Sequence, residues 1–213
     1  MTKRVGVLAS GRGSNFEALL RHEREGFFEK AKIVCLITDN PDAGALEIAR
    51  RYGVPAHTIV RKDFPSKEAF ESAIVRTLES YDVNWVALAG YMRIVGPTLL
   101  ERYPQRILNI HPSLLPAFPG LHAQRQALEY GVKVAGCTVH FVDAGVDTGP
   151  IIVQRCVPVL PDDTEESLSA RILEQEHQAY AEALKAVTER PWRIDGRIVC
   201  FLDNLKKGGT PGP

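Results

Sequence analysis

Residues 3–24, KRVGVLASGRGSNFEALLRHER, decide how this chain folds. Val5 to Ala9 is apolar at every position, so neither face of the strand it forms can meet water. Such a strand belongs inside a sheet covered on both sides. The run stops at Ser10-Gly-Arg-Gly-Ser14, and the period then changes. Phe16, Leu19 and Leu20 fall on one face of a helix that the spacing predicts over Asn15 to Arg24. A buried strand, a glycine turn and an amphipathic helix make the first unit of a parallel α/β sheet.

The same alternation continues downstream. Ile33–Ile37 reads as a second strand, closed by TDNPDAG. Ala45–Tyr52 reads as a short helix ended by Gly53. His57–Val60, Trp85–Ala89 and Ile107–Ile110 are further strands, and Ser66–Tyr81 is a helix with Ser66 as its N-cap. The second half changes character. Gly136–Asp143 alternates weakly and Pro150–Val159 follows a glycine turn, so these two are expected to pair antiparallel. A long helix runs from Thr164 to Thr188, with Glu165 and Glu166 in its first turn. Trp192–Ile194 and Arg197–Phe201, joined by Asp195-Gly196, read as a β-hairpin. The expectation is one α/β domain over residues 1–203: an open, mostly parallel sheet with helices on both faces and an antiparallel C-terminal portion. Residues 204–213 read as a disordered tail.

Composition narrows the possible roles. With 26 basic and 26 acidic residues in 213, the chain offers no charge excess for nucleic acid or a membrane surface. The N-terminal apolar run is too short for a signal peptide, and no stretch approaches the ~20 apolar residues of a membrane span. Cys35, Cys137, Cys156 and Cys200 form no Cys-x-x-Cys pair, and three lie in apolar runs. That pattern suggests reduced, buried thiols, a cytoplasmic location and no metal.

Four places carry residues suited to chemistry, and a fifth could shape a binding wall. In SGRGSN, Gly13, Ser14 and Asn15 open a helix, where backbone N–H groups and the helix dipole hold a phosphate. The plain alternative is a tight turn capped by Ser14 or Asn15. Phe16 stands where a dinucleotide fingerprint needs glycine, which disfavours NAD. In ILNIHPSLLPAFPG, Asn109 and His111 are two apart on a strand and point to the same side, ahead of a proline-stiffened loop. An amide donor beside an imidazole suits oxyanion stabilisation and proton handling. In VDAGVDTGP, Asp143 and Asp147 flank a glycine turn; a carboxylate near His111 favours its charged form and fixes its tautomer. Turn chemistry alone also explains aspartates there. In the long helix, Glu176 interrupts the apolar row Leu168, Ile172, Tyr180, Leu184. A carboxylate on an inward face needs a partner, whether a ligand, Arg171 or a backbone group. AGYMRIV, residues 89–95, follows the fourth strand and suits a wall for a flat ring, or an ordinary strand exit.

Together these motifs, in this order and over Lys3 to Phe201, resemble the glycinamide ribonucleotide formyltransferases, folate-dependent enzymes of purine synthesis with a Rossmann-like fold. The resemblance implies transfer of a formyl group from 10-formyltetrahydrofolate, as co-substrate, to the primary amine of 5′-phosphoribosylglycinamide. It implies a catalytic trio of Asn109, His111 and Asp147. Gly13, Ser14 and Asn15 match the phosphate loop and Glu176 the residue at the glycinamide end. Met92, Arg93, Ile94 and Val95, with Asn109 and Lys67, match the folate side. Lys67 stands where relatives often carry arginine, Leu173 where some carry a polar or basic phosphate contact, and Thr148 where some carry glycine. The implied partners are the two small molecules, with no metal, nucleic acid or membrane, acting as a monomer or homodimer.

Rival readings predict other features. A formyltetrahydrofolate deformylase carries an extra N-terminal regulatory domain. A methionyl-tRNA formyltransferase carries a C-terminal domain and a basic surface. A non-catalytic nucleotide or folate sensor would not need an intact Asn-His-Asp set.

Overall fold

The computed structural model describes residues 1–203, so the expected tail at 204–213 lies outside the described residues. The apolar run after Lys3 forms β1 (Lys3–Leu8), followed by α1 (Ser14–Arg24). Next come β2 (Ala31–Thr38), α2 (Gly44–Tyr52), β3 (Ala56–Thr58) and α3 (Lys67–Ser80). Ser66 caps α3 as expected, its Oγ accepting the Ala69 N–H at 3.0 Å. Then follow β4 (Trp85–Leu88), α4 (Pro97–Arg102), β5 (Ile107–His111) and α5 (Ala123–Tyr130). β6 (Val134–Phe141), β7 (Ile151–Pro158), α6 (Glu165–Glu189), β8 (Trp192–Asp195) and β9 (Ile198–Phe201) complete the described chain. Thr164 caps α6 in a reciprocal box with Ser167.

All nine strands join one sheet in the order β3-β2-β1-β4-β5-β6-β7-β9-β8. The first five are mutually parallel, and β6 turns back antiparallel on β5, as does β7 on β6. The expected hairpin of β8 and β9 forms, and β9 docks parallel to β7. One face is covered by α1, α2 and α6 through Phe16, Leu19, Ile48, Ile172 and Leu184. The other is covered by α3 and α4 through Phe70, Ile74, Leu78 and Leu99. Neighbouring β1 and β4 carry their connections away in opposite directions along the sheet. This is the switch point where open α/β sheets leave a crevice beyond their strand ends.

Several details depart from the sequence reading. The third strand is Ala56–Thr58 rather than His57–Val60. Two short helices, α4 and α5, were not expected. Of the four cysteines only Cys35 and Cys137 are buried; Cys156 is exposed and Cys200 half-buried. Among the described residues no helix is long and apolar enough to cross a membrane.

Candidate active site

Asn109 and His111 close β5, and their alternation puts both on the same side, as the strand spacing required. Opposite them on β6 stand His140 and Thr138, paired in register with Asn109 and His111. Tyr180, fully buried on α6, donates its hydroxyl to the carbonyls of Leu88 (2.8 Å) and Leu108 (3.2 Å), tying α6 to β4 and β5 beside the site.

Asp147 reaches this pair from the turn between β6 and β7. The turn lies so close to the end of β6 that a Cβ on Gly149 would overlap the Phe141 carbonyl oxygen, so only glycine fits there. Asp147 itself is left-handed, φ 54°, a conformation that aspartate and asparagine tolerate better than most residues. Asp143 stays in the turn, accepting Gly145 N–H at 3.1 Å and the Thr148 hydroxyl at 2.6 Å. Thr148 therefore closes the turn.

The Asp147 carboxylate gathers the site. Its Oδ1 accepts from Asn109 Nδ2 at 3.4 Å, and its Oδ2 accepts from the Gly120 N–H at 2.8 Å. Oδ2 also lies 3.3 Å from His111 Nδ1. Burial pushes this carboxyl up, but the flanking imidazoles and the Gly120 donor outweigh it, and the group sits below the ordinary aspartate range. The other His111 nitrogen, Nε2, lies 2.8 Å from the Phe118 carbonyl. Nε2 meets a carbonyl that can only accept, and Nδ1 stands at ion-pair distance from the Asp147 carboxylate. Phe118 is held at φ 51° in the loop that follows β5. The loop is braced by Thr138, whose hydroxyl donates to Ser113 O at 2.7 Å and accepts the Leu115 N–H at 3.1 Å.

The glycine loop sits at the neighbouring end of β1. Gly13 is left-handed, φ 83°, and caps α1 with no side-chain hydrogen bond, so neither Ser14 nor Asn15 serves as the cap. Instead the Asn15 amide donates to Glu176 Oε2 at 2.7 Å. Glu176 is buried, and burial raises its carboxyl above the ordinary range, with the Asn15 hydrogen bond opposing. Arg171 is not its partner; that side chain binds Asp163 at 2.7 and 2.8 Å. The Asn15 Oδ1 is buried without a partner among the described residues.

The segment after β4 borders the same crevice. Ser10 N–H donates to the Gly90 carbonyl (3.0 Å), and Met92 N–H donates to Ser10 Oγ (3.0 Å). Met92, Arg93 and Ile94 are exposed, while the Val95 side chain is turned into the core. Val95 therefore offers a ligand only its backbone, not the side-chain wall expected from sequence. Arg93 is ion-paired with Asp39, which also accepts the Ser10 hydroxyl at 2.6 Å. Lys67 lies 3.9 Å from the buried Glu71 carboxylate, which accepts Gly96 N–H at 2.6 Å. The fold thus brings the three groups of expected residues to the C-terminal ends of β1, β4 and β5. Sequence reading missed His140, Phe118, Gly120 and Asp39. The signal for His140 was present: Thr138 and His140 are polar at strand spacing inside a buried strand.

The family model described as formyl transferase matches residues 3–184. The phosphoribosylglycinamide formyltransferase of Bacillus subtilis (strain 168) is 46% identical over 183 residues, 86% of this chain and 93% of that protein. The trifunctional purine biosynthetic protein adenosine-3 of Drosophila melanogaster is 48% identical over 185 residues, 85% of this chain and only 14% of that much longer protein. The crystal structure of glycinamide ribonucleotide transformylase 1 from Symbiobacterium toebii superposes with a TM-score of 0.92 at 54% identity, covering 94% of each chain. With the family model covering most of its length, the chain belongs to the formyl transferase family.

Proposed function

We propose that this chain transfers the formyl group of 10-formyltetrahydrofolate to the primary amine of 5′-phosphoribosylglycinamide. The products are formylglycinamide ribonucleotide and tetrahydrofolate, in purine biosynthesis. The observation that carries the reading is the convergence of Asn109, His111 and Asp147 at the end of β5. The relatives named above, one of them matched along 93% of its length, support the same assignment. Residues 1–203 act as one unit, with phosphate binding in the N-terminal half and folate binding and catalysis in the C-terminal half. The four free thiols suit a reducing cytoplasm.

Gly13, Ser14 and Asn15 hold the acceptor phosphate at the uncapped start of α1, where N–H groups and the dipole favour an anion. Glu176 accepts from the acceptor's far end. Met92, Arg93, Ile94 and the Val95 backbone flank the pterin side, and Lys67 lies further out on that side. The amine attacks the formyl carbon, a new C–N bond forms, and the bond from that carbon to the folate nitrogen breaks. Asn109 and His111 donate hydrogen bonds to the formyl oxygen as negative charge develops on it. Asp147 orients His111 and stabilises its charge. The proton lost by the amine ends on the folate nitrogen, carried by His111 or by a water relay.

The test is an assay of purified protein with both substrates and a control lacking the acceptor. Tetrahydrofolate should form only when the ribonucleotide is present. Formate release at a comparable rate without acceptor would replace the transferase reading with a hydrolase.

A further inference from the structure

Met92 to Gly96, the strip of chain between β4 and α4, is tied down at both ends by buried side chains of other elements. At its first end the Met92 N–H donates to Ser10 Oγ at 3.0 Å. The Ser10 hydroxyl has one proton, and it goes to Asp39 Oδ1 at 2.6 Å, since a carboxylate can only accept. That leaves the Ser10 lone pairs to the Met92 N–H, a group that can only donate. Asp39 Oδ2 holds Arg93 Nε in an ion pair, so one carboxylate fixes the Met92 backbone and the Arg93 side chain together. Ser10 is itself held through both backbone groups. Its N–H donates to the Gly90 carbonyl at 3.0 Å, and its carbonyl accepts from Asn40 Nδ2 at 3.1 Å.

At the far end the Gly96 N–H donates to Glu71 Oε1 at 2.6 Å. Glu71 is 2% exposed on α3, with Lys67 Nζ 3.9 Å away as its counter-charge. The carboxylate lies directly against the glycine: a Cβ on Gly96 would stand 2.7 and 2.8 Å from its two oxygens. Ser10 and Asp39 are buried as well. Burying a carboxylate costs free energy that an ordinary surface connection does not require. Here two of them converge on one five-residue strip. Between the anchors Met92, Arg93 and Ile94 stay exposed at the crevice, so the strip is fixed from behind and open in front.

We infer that Asp39 and Glu71 are positioning residues for the folate: one acting through Ser10 and Met92, the other through Gly96, they hold strip 92–96 in the shape the pterin meets. This rests on the transferase reading above, in which the strip flanks the pterin. Neither carboxylate touches the folate in this role. A strip already ordered loses little backbone freedom when the ligand binds, and affinity gains by what would otherwise be lost. The same geometry assigns Ser10. By sequence it belongs to the glycine loop, but its hydroxyl serves the folate side.

The first test compares the two KM values in the acceptor-dependent assay. Ser10→Ala, Asp39→Ala and Glu71→Ala should each raise the folate KM about fivefold to thirtyfold, the cost of ordering one residue's backbone on binding. The ribonucleotide KM should stay within about threefold, since its binding groups are untouched. Glu71→Gln keeps an acceptor for the Gly96 N–H, so its folate KM should stay within about threefold of wild type. A level folate KM in the alanine variants, or a ribonucleotide KM that rises as much, would overturn the role and leave the two carboxylates structural. The second test needs neither substrates nor a variant. In hydrogen exchange on the wild-type protein, the Met92 and Gly96 amides should exchange much more slowly than those of Arg93 and Ile94, which make no backbone hydrogen bond among the described residues. Exchange at Met92 or Gly96 as fast as at Ile94 would overturn the inference even where the alanine variants fail to fold. Wild-type protein with the two slow amides but no acceptor-dependent turnover would instead sink the transferase reading.

Discussion

The side-chain amide of Asn15 donates to the carboxylate of Glu176, 2.7 Å away and 161 residues further along the chain. The contact pins the helix that opens the glycine loop to the middle of α6. It also fixes which polar atoms look into the crevice between them, since the amide oxygen is left buried and unpartnered among the described residues. Glu176→Gln preserves an acceptor for Asn15 and removes the charge. The acceptor KM should rise about tenfold or more, the size of a lost charged hydrogen bond, while the folate KM stays level. The buried carboxyl has a raised folded-state value, so its contribution to stability is full below the ordinary glutamate value of 4.5 and is lost as pH rises through the folded one. Melting curves should therefore show the glutamine variant gaining on wild type as pH rises above that ordinary value. A variant that loses stability at neutral pH with unchanged kinetics would make Glu176 a structural residue.

Gly13 serves the fold as well as the loop. A Cβ there would meet the Ala45 Cα and Cβ at 2.8 Å, on a backbone already at φ 83°. Gly13→Ala should cost about 1–3 kcal/mol in urea titration, from the forbidden conformation and the overlap with α2. A substitution here therefore cannot isolate phosphate binding. Competition can: inorganic phosphate should inhibit competitively against the ribonucleotide and not against the folate. The reverse pattern would move the phosphate site elsewhere.

Asp147→Asn keeps both shape and backbone, because asparagine also accepts the left-handed φ of 54°. It removes the charge beside His111. We expect kcat to fall at least about tenfold, the equivalent of one pK unit of lost electrostatic stabilisation. Stability follows from the depressed carboxyl: its contribution is present above the ordinary aspartate value of 3.8 and disappears as pH falls through the lower folded-state value. The variant should be less stable than wild type near neutral pH, and the gap should narrow in acid. A gap that widens in acid would mean the carboxylate is not held ionised by its neighbours.

The cysteines offer a test independent of catalysis. Burial pushes the Cys35 and Cys137 thiols up to about 12, so neither forms appreciable thiolate near neutral pH. Under native conditions iodoacetamide should modify exposed Cys156 first and leave Cys35 and Cys137 unlabelled until the protein unfolds. Labelling of Cys137 in the folded protein, read by peptide mass, would show that α6 does not stay packed on β6.

The parts of this fold legible in the sequence are those where one physical requirement acts alone. Val5 to Ala9 had to be buried on both faces, and β1 is. Asn109 and His111 had to share a side, and they do. Glu176 had to find a partner on its inward face, but that partner lies in another element, and spacing along α6 pointed no more to Asn15 than to Arg171. His140 was hidden for the same reason: its meaning comes from the antiparallel register that sets it against Asn109. Val95 lies beside three exposed residues, and only packing decides that it turns inward. The helices α4 and α5, six and eight residues long, are too short for periodicity to mark. Cys156 lies on β7, which pairs with β9 only at Ile151, and its side chain is exposed.

The Phe118 carbonyl on His111 Nε2 has a bearing on how binding and catalysis divide. The donor is already matched with a neutral carbonyl oxygen, the same kind of acceptor as the formyl group of an unreacted substrate. If His111 binds the formyl oxygen as proposed, exchanging one for the other leaves the number and kind of hydrogen bonds unchanged, so the ground state gains almost nothing from His111. Once the formyl oxygen acquires charge the exchange is no longer even, since an ionised acceptor holds the same donor more strongly than a neutral carbonyl does. In the proposed reaction the loop is therefore a built-in competitor that cancels the histidine's affinity for substrate and leaves its preference for the transition state, the form of binding that raises kcat rather than lowering KM.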